Sequence, residues 1–502
     1  MTGVGSGHMR GLAIDIGTSS TRAMLLDRHG DFVGAGFSVP HDTGFRRDLA
    51  GSYEAASFLD AVRQVVVEAH DGGPVDYIGI SGFWHSIMAV DERLQPLTPA
   101  LAWNFREASP FAARFKQRID PRTYHRTTGC FPHSSYPPAK VLWLLERYEL
   151  PDDVRLIDLP SWIWCRLTGQ TEALTSLSQA SGYGVMSLTR GQWDPAVIDA
   201  MQIGQGLLPS IVRQPAPLLD DVVCRQWSDL RGTPVVPPFG DGACNSVGSG
   251  GLRPDTVTIM VATSGSIRAL EPITSADDPP ARLWMSLVDE RWCAFGCPSS
   301  TGGNLFEWLR KTLRLPHDLT HFEDRPVVPS TSLRIVPFIA GQRGPHFDEA
   351  ATLTITGVTE STTPEDLYRE AIVSLALFFS LLWDDFEEAR PHTSTAILAG
   401  SAVDSSPVRQ QSLADALGRP LQVSSFPEAS ARGAGLLARS AVGGPDIQDA
   451  KPDLSGSRTV EPDQTRYNQF RAAKEHLLSV YTAIRDQHTG AGQRSSADAR
   501  RR

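Results

Sequence analysis

Four signatures are missing from this sequence of 502 residues. No glycine is followed by lysine, which removes the P-loop as a phosphate site. G-x-G-x-x-G, H-E-x-x-H and C-x-x-C are absent as well, so a dinucleotide fingerprint, a zincin helix and a paired-cysteine zinc site drop out. Cysteine is sparse and scattered, at Cys130, Cys165, Cys224, Cys244, Cys293 and Cys297. Without a secretory leader, these are expected to be reduced thiols of a cytoplasmic protein. Lysine is scarce beside plentiful arginine, a compositional habit, while the formal charge of −10 argues against partners that need a basic face, nucleic acid and membrane surface alike. The longest apolar window, 372–383, falls short of the roughly 20 residues that cross a bilayer. It follows Thr363-Pro364-Glu365-Asp366, a helix start signal, and so predicts a buried helix.

What is present fits a globular chain long enough for two or more domains: 41% hydrophobic and 21% charged residues. Its organising stretch is Gly11 to Leu26, two apolar runs around the turn Gly17-Thr18-Ser19-Ser20, which predicts a β-hairpin with a hydroxyl-rich tip. Successive turn amides and small side chains make an anion nest. Asp15, at the end of the first run, is a hard oxygen ligand of the kind that holds Mg²⁺ beside phosphates. An ordinary polar turn is the alternative for this stretch alone. A second copy follows at Val257 to Leu270, with Thr263-Ser264-Gly265 as its tip and Met260 where the first copy has Asp15. Thr18 and Thr263 lie 245 residues apart, a spacing that predicts two related lobes gripping one polyphosphate rather than a solenoid.

Strands alternate with helices, giving an α/β reading. A strand at 77–82 ends in small residues and leads into Phe83-Trp84-His85-Ser86. Helices are expected at 57–70, 140–148, 161–167 and 407–417, and a small-residue helix at 428–439. The first lobe is taken as 10–252 and the second as 253–442. A polar linker and terminal helix follow over 443–487, and a disordered tail over 488–502. The opening Gly5-Ser6-Gly7-His8-Met9 resembles an expression scar and carries no fold information.

Asp241 is the sharpest single candidate. It stands between two glycines after an apolar strand, where backbone and substrate approach closely. A kinase needs a carboxylate there to orient an alcohol and take its proton. An Asp-Gly tight turn is the other reading of the same residues. His85, Trp103, Asn104 and Arg106 combine an aromatic platform with polar donors suited to a polyol or acid, or else form a buried tryptophan beside a solvated face.

Eight ordered blocks carry a resemblance: Asp15 to Arg22; Gly79-Ile80-Ser81 leading to His85; Trp103 to Arg106; Gly240-Asp241-Gly242; Thr263-Ser264-Gly265; Gly302-Gly303 before Trp308-Leu309; Gly341 to Pro345; and Glu428 to Ala434. In them the chain resembles the FGGY family of carbohydrate kinases, within the actin, Hsp70 and sugar-kinase superfamily. The resemblance implies two ribonuclease-H-like domains around a central cleft, with ATP and Mg²⁺ bound there and transfer of phosphate to a sugar hydroxyl. It makes Asp241 the catalytic base, Asp15 with Asp241 the metal ligands, and Thr18, Ser19, Ser20, Arg22, Thr263, Ser264, Gly265, Gly303, Gly400 and Ser401 the nucleotide contacts. Thr128-Gly129 through His133 to Pro137 and Lys140, with His85-Ser86 and Ala89-Val90-Asp91, is most similar to gluconate kinases. His85, Trp103, Asn104, Arg106 and Lys140 are then the expected substrate contacts, with Lys140 and Arg106 as partners of a carboxylate. Ketopentose or polyol kinases, and a nucleotide-binding switch without sugar chemistry, are the alternatives. A homodimer is compatible with the family. The chain departs from the family pattern at Asn104, where Asp is usual, at Ala399-Gly400-Ser401, which replaces a richer glycine run, and at Phe83-Trp84, which precede His85 where smaller residues are usual.

Overall fold

In the computed structural model, β1 (Gly11–Ile16) and β2 (Ser20–Leu26) pair antiparallel, setting Asp15 opposite Arg22. The structure describes residues 9–42, 49–253, 255–274, 278–449 and 456–499, with side chains as far as 486. Most of the opening scar-like stretch therefore lies outside the described residues. β3 (Phe32–Pro40) extends the hairpin antiparallel. Helix α1 (Ala55–Ala69) buries Phe58, Val62, Val65 and Val66, the stripe its spacing predicts. It returns the chain to β4 (Tyr77–Gly82), parallel to β1 and buried along its whole length, as a strand covered on both faces must be.

Between β4 and residue 230 lies an inserted helical region with its own core, including Phe105, Tyr124, Tyr136, Leu156 and Tyr183. Its helix α2 (Pro137–Arg147) starts on two prolines, whose missing N–H groups cost nothing in a first turn. β5 (Pro234–Val235) and β6 (Phe239–Gly240) then run parallel to β4. Helix α3 (Asp241–Gly248) begins at once, with Asp241 as its first residue.

The second half repeats the plan. β7 (Thr256–Val261) and β8 (Gly265–Pro272) form the second hairpin, and β9 (Trp284–Leu287) and β10 (Trp292–Ser299) extend it. Helix α4 (Gly303–Thr312) and the long helix α5 (Pro364–Ala389) follow. α5 starts in a capping box, with Thr363 Oγ1 accepting from Asp366 N and Asp366 Oδ2 accepting from Thr363 N. Its stretch 372–380 is buried throughout. β11 (Thr395–Ala399) lies parallel to β7, as β4 does to β1, and helix α6 (Pro407–Leu417) leads to β12 (Leu421–Val423), parallel to β11. Three antiparallel strands followed by parallel ones on the far side of the first thus occur in both halves. Asp15 and Met260 sit at the fifth position of corresponding strands, β1 and β7.

Three features go beyond the expected layout. Helix α7 (Ala429–Ala441), placed in the second lobe by sequence order, packs on β1 and β4 of the first sheet and crosses α3. A Cβ on Gly248 would collide with the Ala429 carbonyl and one on Gly433 with the Cys244 carbonyl, so the two helices meet backbone to backbone. The stretch expected as polar linker contains β13 (Arg458–Val460), which pairs antiparallel with β12 and closes the edge of the second sheet. The terminal helix α8 runs Gln464–Ala499, through most of the span expected to be disordered; residues 500–502 lie outside the described ones. All six cysteines are free and buried. No helix among the described residues is long and apolar enough to cross a membrane.

Candidate active site

Both hairpin tips face one cavity of about 530 Å³ between the lobes, lined by Thr18, Ser19, Ser20 and Arg22 from one side and Thr263 and Ser264 from the other. Asp15 and Asp241 form part of its wall, with Gly400 and Ser401 at the second lobe's edge. The first tip is closed by Gly17 N donating to Ser20 O at 3.0 Å, the second by Ala262 N donating to Ser264 O at 2.8 Å. Gly303 opens α4 and lines an adjoining cavity of about 600 Å³ that shares Thr263 and Ser401 with the first. Gly400 has φ of 121°, and a Cβ there would overlap the Val261 backbone, so only glycine lets β11 turn away this close to the second tip.

Asp15 is raised to about 6, chiefly by burial, and further by the carboxylates of Asp241 and Glu428, against Ser81 and Arg22. Arg22 is itself ion-paired with Glu428 at 2.5 Å. This corner is therefore short of positive charge. A hydrated divalent cation would meet that shortage; among the described residues no group of three or more His, Cys, Asp or Glu side chains forms a metal site by itself. Asp241 Oδ1 accepts from Gly242 N at 2.8 Å. Burial pushes its carboxyl above the usual carboxylate range, while Arg268 and the Gly242 amide pull the other way. The flanking glycines have a packing cause: a Cβ at Gly240 or Gly242 would run into the Trp84 indole. Trp84 is fixed in turn by Nε1 donating to Ser178 O at 2.9 Å.

Beyond Asp241 a smaller pocket is walled by His85, Trp103, Tyr136, Trp284, Arg268 and Arg343. His85 holds φ of 69°, a left-handed backbone that a non-glycine residue adopts only where its surroundings enforce it. Its Nδ1 lies 2.7 Å from Gly182 O, so Nδ1 carries the proton. Burial lowers the ring to about 3, and Nε2 is left as a neutral acceptor.

Three expected substrate contacts are not brought to these walls. Lys140 is fully buried, and its Nζ donates to the carbonyls of His85, Ala102 and Ser135. It is a clamp on the backbone behind the pocket, and burial drives its pKa down. Arg106 donates to Glu349 O at 2.7 Å outside the pocket. Asn104 turns its Oδ1 toward Gly51, while its neighbour Trp103 faces inward. Conversely, sequence reasoning gave no role to Arg343, Tyr136 or Trp284. Arg343 was visible only as a member of the Gly341 to Pro345 block, and Arg268 only as a residue of the second hairpin.

Duplicated sheets around such a cleft define the actin and Hsp70-like two-domain fold. The sequence matches the N-terminal domain of the FGGY family of carbohydrate kinases over residues 11–248 and the C-terminal domain over 276–442. The chain belongs to the FGGY family of carbohydrate kinases and is a sugar kinase of that family, whose members take ATP as phosphate donor. Gluconokinase of Bacillus subtilis (strain 168) is 25% identical over 95% of this chain and 96% of its own length. Xylulose kinase of Streptomyces rubiginosus is 28% identical over 87% of this chain and 88% of its own. The crystal structure of gluconate kinase from Lactobacillus acidophilus shares the fold, with a TM-score of 0.80 over 96% of this chain and 98% of that one at 22% identity.

Proposed function

We propose that this sugar kinase acts on a sugar acid, gluconate first, moving the γ-phosphate of ATP to one of its hydroxyls. The observation that carries the reading is that one cavity joins both hydroxyl tips, Asp15 and Asp241. The tip amides and hydroxyls of Thr18, Ser19, Ser20, Thr263 and Ser264 hold the phosphates, while Gly303, Gly400 and Ser401 border the rest of the nucleotide. Asp15, with Asp241 nearby, holds Mg²⁺, which when bound neutralises charge on the phosphate oxygens. Asp241 accepts the proton of the sugar hydroxyl; burial makes its carboxylate a stronger base than an exposed one. His85 Nε2 accepts from a second hydroxyl, and Trp103 and Trp284 give the carbon skeleton its apolar faces.

The deciding experiment is a coupled ATP-consumption screen over gluconate, xylulose and other ketopentoses, glycerol and further polyols, in the presence of Mg²⁺. Gluconate is expected to give the highest kcat/KM. A preference for xylulose would reassign the substrate within the family, and ATP hydrolysis with no phosphorylated product from any polyol would refute sugar phosphorylation by this site.

A further inference from the structure

Two arginines share the inner pocket, and each keeps a buried nitrogen without a partner. Arg268, on β8, is 5% exposed; its Nε donates to Ser266 Oγ at 2.6 Å, and its Nη1 has no hydrogen-bond partner. The guanidinium lies against Gly242, where a Cβ would come within 2.6 Å of Nη1, so it borders Asp241's own backbone. Arg343 arrives from the segment between α4 and α5. Its Nη2 donates to Ser299 O at 2.9 Å and its Cζ stands 4.5 Å from the Trp103 ring centroid, while its Nε is buried and unpartnered.

Buried guanidinium groups are ordinarily matched by carboxylates, because desolvating an unpaired cation is costly. Here two cations face one acid, Asp241, and neither forms an ion pair with it. Burial lowers both to about 10, still far above neutrality, so the pair stays charged. With Asp241 ionised the pocket carries an uncompensated positive charge. Asp241 supplies one negative charge for the two cations, and a carboxylate on the substrate would supply the second. Lys140, expected to pair with an acid, is spent on backbone carbonyls.

We infer that Arg268 and Arg343 form the fork that receives the carboxylate of an aldonate substrate, and so set this kinase's preference for a sugar acid over the matching neutral sugar. The inference rests on the sugar-acid reading given above. A planar guanidinium takes a carboxylate through two parallel N–H···O bonds, which distinguishes it from a hydroxymethyl group in the same place. Arg343 borders the sugar pocket alone, whereas Arg268 also borders the phosphate cavity. Arg343 is therefore the cleaner residue to test.

Gluconate and glucitol differ only in carrying a carboxylate or a hydroxymethyl group at C1. Steady-state kinetics with gluconate, glucitol and xylulose, and calorimetric binding of gluconate without ATP, should be measured for the wild type, Arg343→Gln and Arg343→Lys. In Arg343→Gln the KM and Kd for gluconate are expected to rise about 10- to 100-fold, the worth of hydrogen bonds to a charged group. The ratio of kcat/KM for gluconate over the neutral sugars should collapse, and Arg343→Lys should restore part of it. Thermal melting checks that the variants fold. Unchanged gluconate binding in Arg343→Gln, or an equal loss toward acid and neutral sugars, overturns the fork while leaving gluconate as substrate. A wild type that phosphorylates xylulose but neither binds nor uses gluconate overturns both the fork and the sugar-acid reading.

Discussion

Asp15 supplies the most direct test of the metal-and-phosphate corner, because function and stability should move in opposite directions there. Its folded-state pKa of about 6 lies above the ordinary 3.8. The folded protein thus binds this proton more tightly than the unfolded chain. The stability that protonation gives is fully present below 3.8 and is lost as pH rises through 6. At 1.36 kcal/mol per pH unit, the ionised Asp15 of the ligand-free protein costs about 3 kcal/mol at pH 7.5 and roughly half of that at pH 5. Asp15→Asn removes the charge and keeps the shape. The variant should therefore melt higher than the wild type by a few degrees at pH 7.5, with the gap narrowing toward pH 5, while sugar phosphorylation is lost. Melting curves of both proteins at the two pH values, with and without Mg²⁺ and ATP, make the comparison, and Mg²⁺ with ATP should stabilise the wild type far more than the variant. A variant less stable than the wild type at pH 7.5, or a gap independent of pH, would refute the reasoning.

Asp241→Asn should cut kcat by about 10²- to 10⁴-fold, the usual worth of a positioned base, with nucleotide affinity unchanged by calorimetry; near-normal kcat would remove Asp241 from that role. Lys140→Ala should cost about 3 kcal/mol or more in denaturant unfolding, since three carbonyls lose their donor and a cavity opens. A simple substrate ligand would instead leave stability unchanged and raise only the KM for sugar. Gly433→Ala separates two effects by sign: in an ordinary helix it would stabilise by up to about 1 kcal/mol, but against the Cys244 carbonyl it should destabilise by about 1–3 kcal/mol, read from the melting temperature.

What the sequence made readable depended on distance along the chain. The two hairpins, the capping box at Thr363 and the glycines beside Asp241 are local statements, each written in under 20 consecutive residues by turn chemistry and apolar spacing. The direction of a long side chain is not local. Lys140 and Arg106 carry the right charge for an acid, yet Lys140 is drawn inward by three carbonyls and Arg106 outward by the Glu349 carbonyl. The glycines around Asp241 were legible as a close approach, but the approaching group, the Trp84 indole, comes from more than 150 residues earlier. The surface on which α7 packs stayed hidden for a related reason. Its Gly433-Ala434-Gly435 run announces tight packing without naming the surface, which proves to be α3 and the first sheet.

The loop that carries Arg343 also decides how the substrate pocket comes into being. Four residues after it, Phe347 stacks on Phe131 of the inserted region at 4.0 Å between ring centroids. Glu349 then accepts from Ser134 N at 2.5 Å and from the hydroxyls of Ser134 and Ser109 at 2.8 Å each. One short stretch of the second lobe is thus anchored on the first, with Arg343 held beside Trp103 and Tyr136. Because these walls belong to different lobes, drawing the lobes apart separates Arg343 from Trp103 and unmakes the pocket. A sugar that touches both walls has higher affinity for the closed arrangement and shifts the population toward it. In the proposed reaction the phosphates are gripped from the same two lobes, so the arrangement that completes the sugar pocket would also bring the tips together and expel water from between hydroxyl, carboxylate and γ-phosphate. Without sugar the closed arrangement loses that contribution, and water, the competing acceptor, meets a nucleotide whose second grip is less often in place.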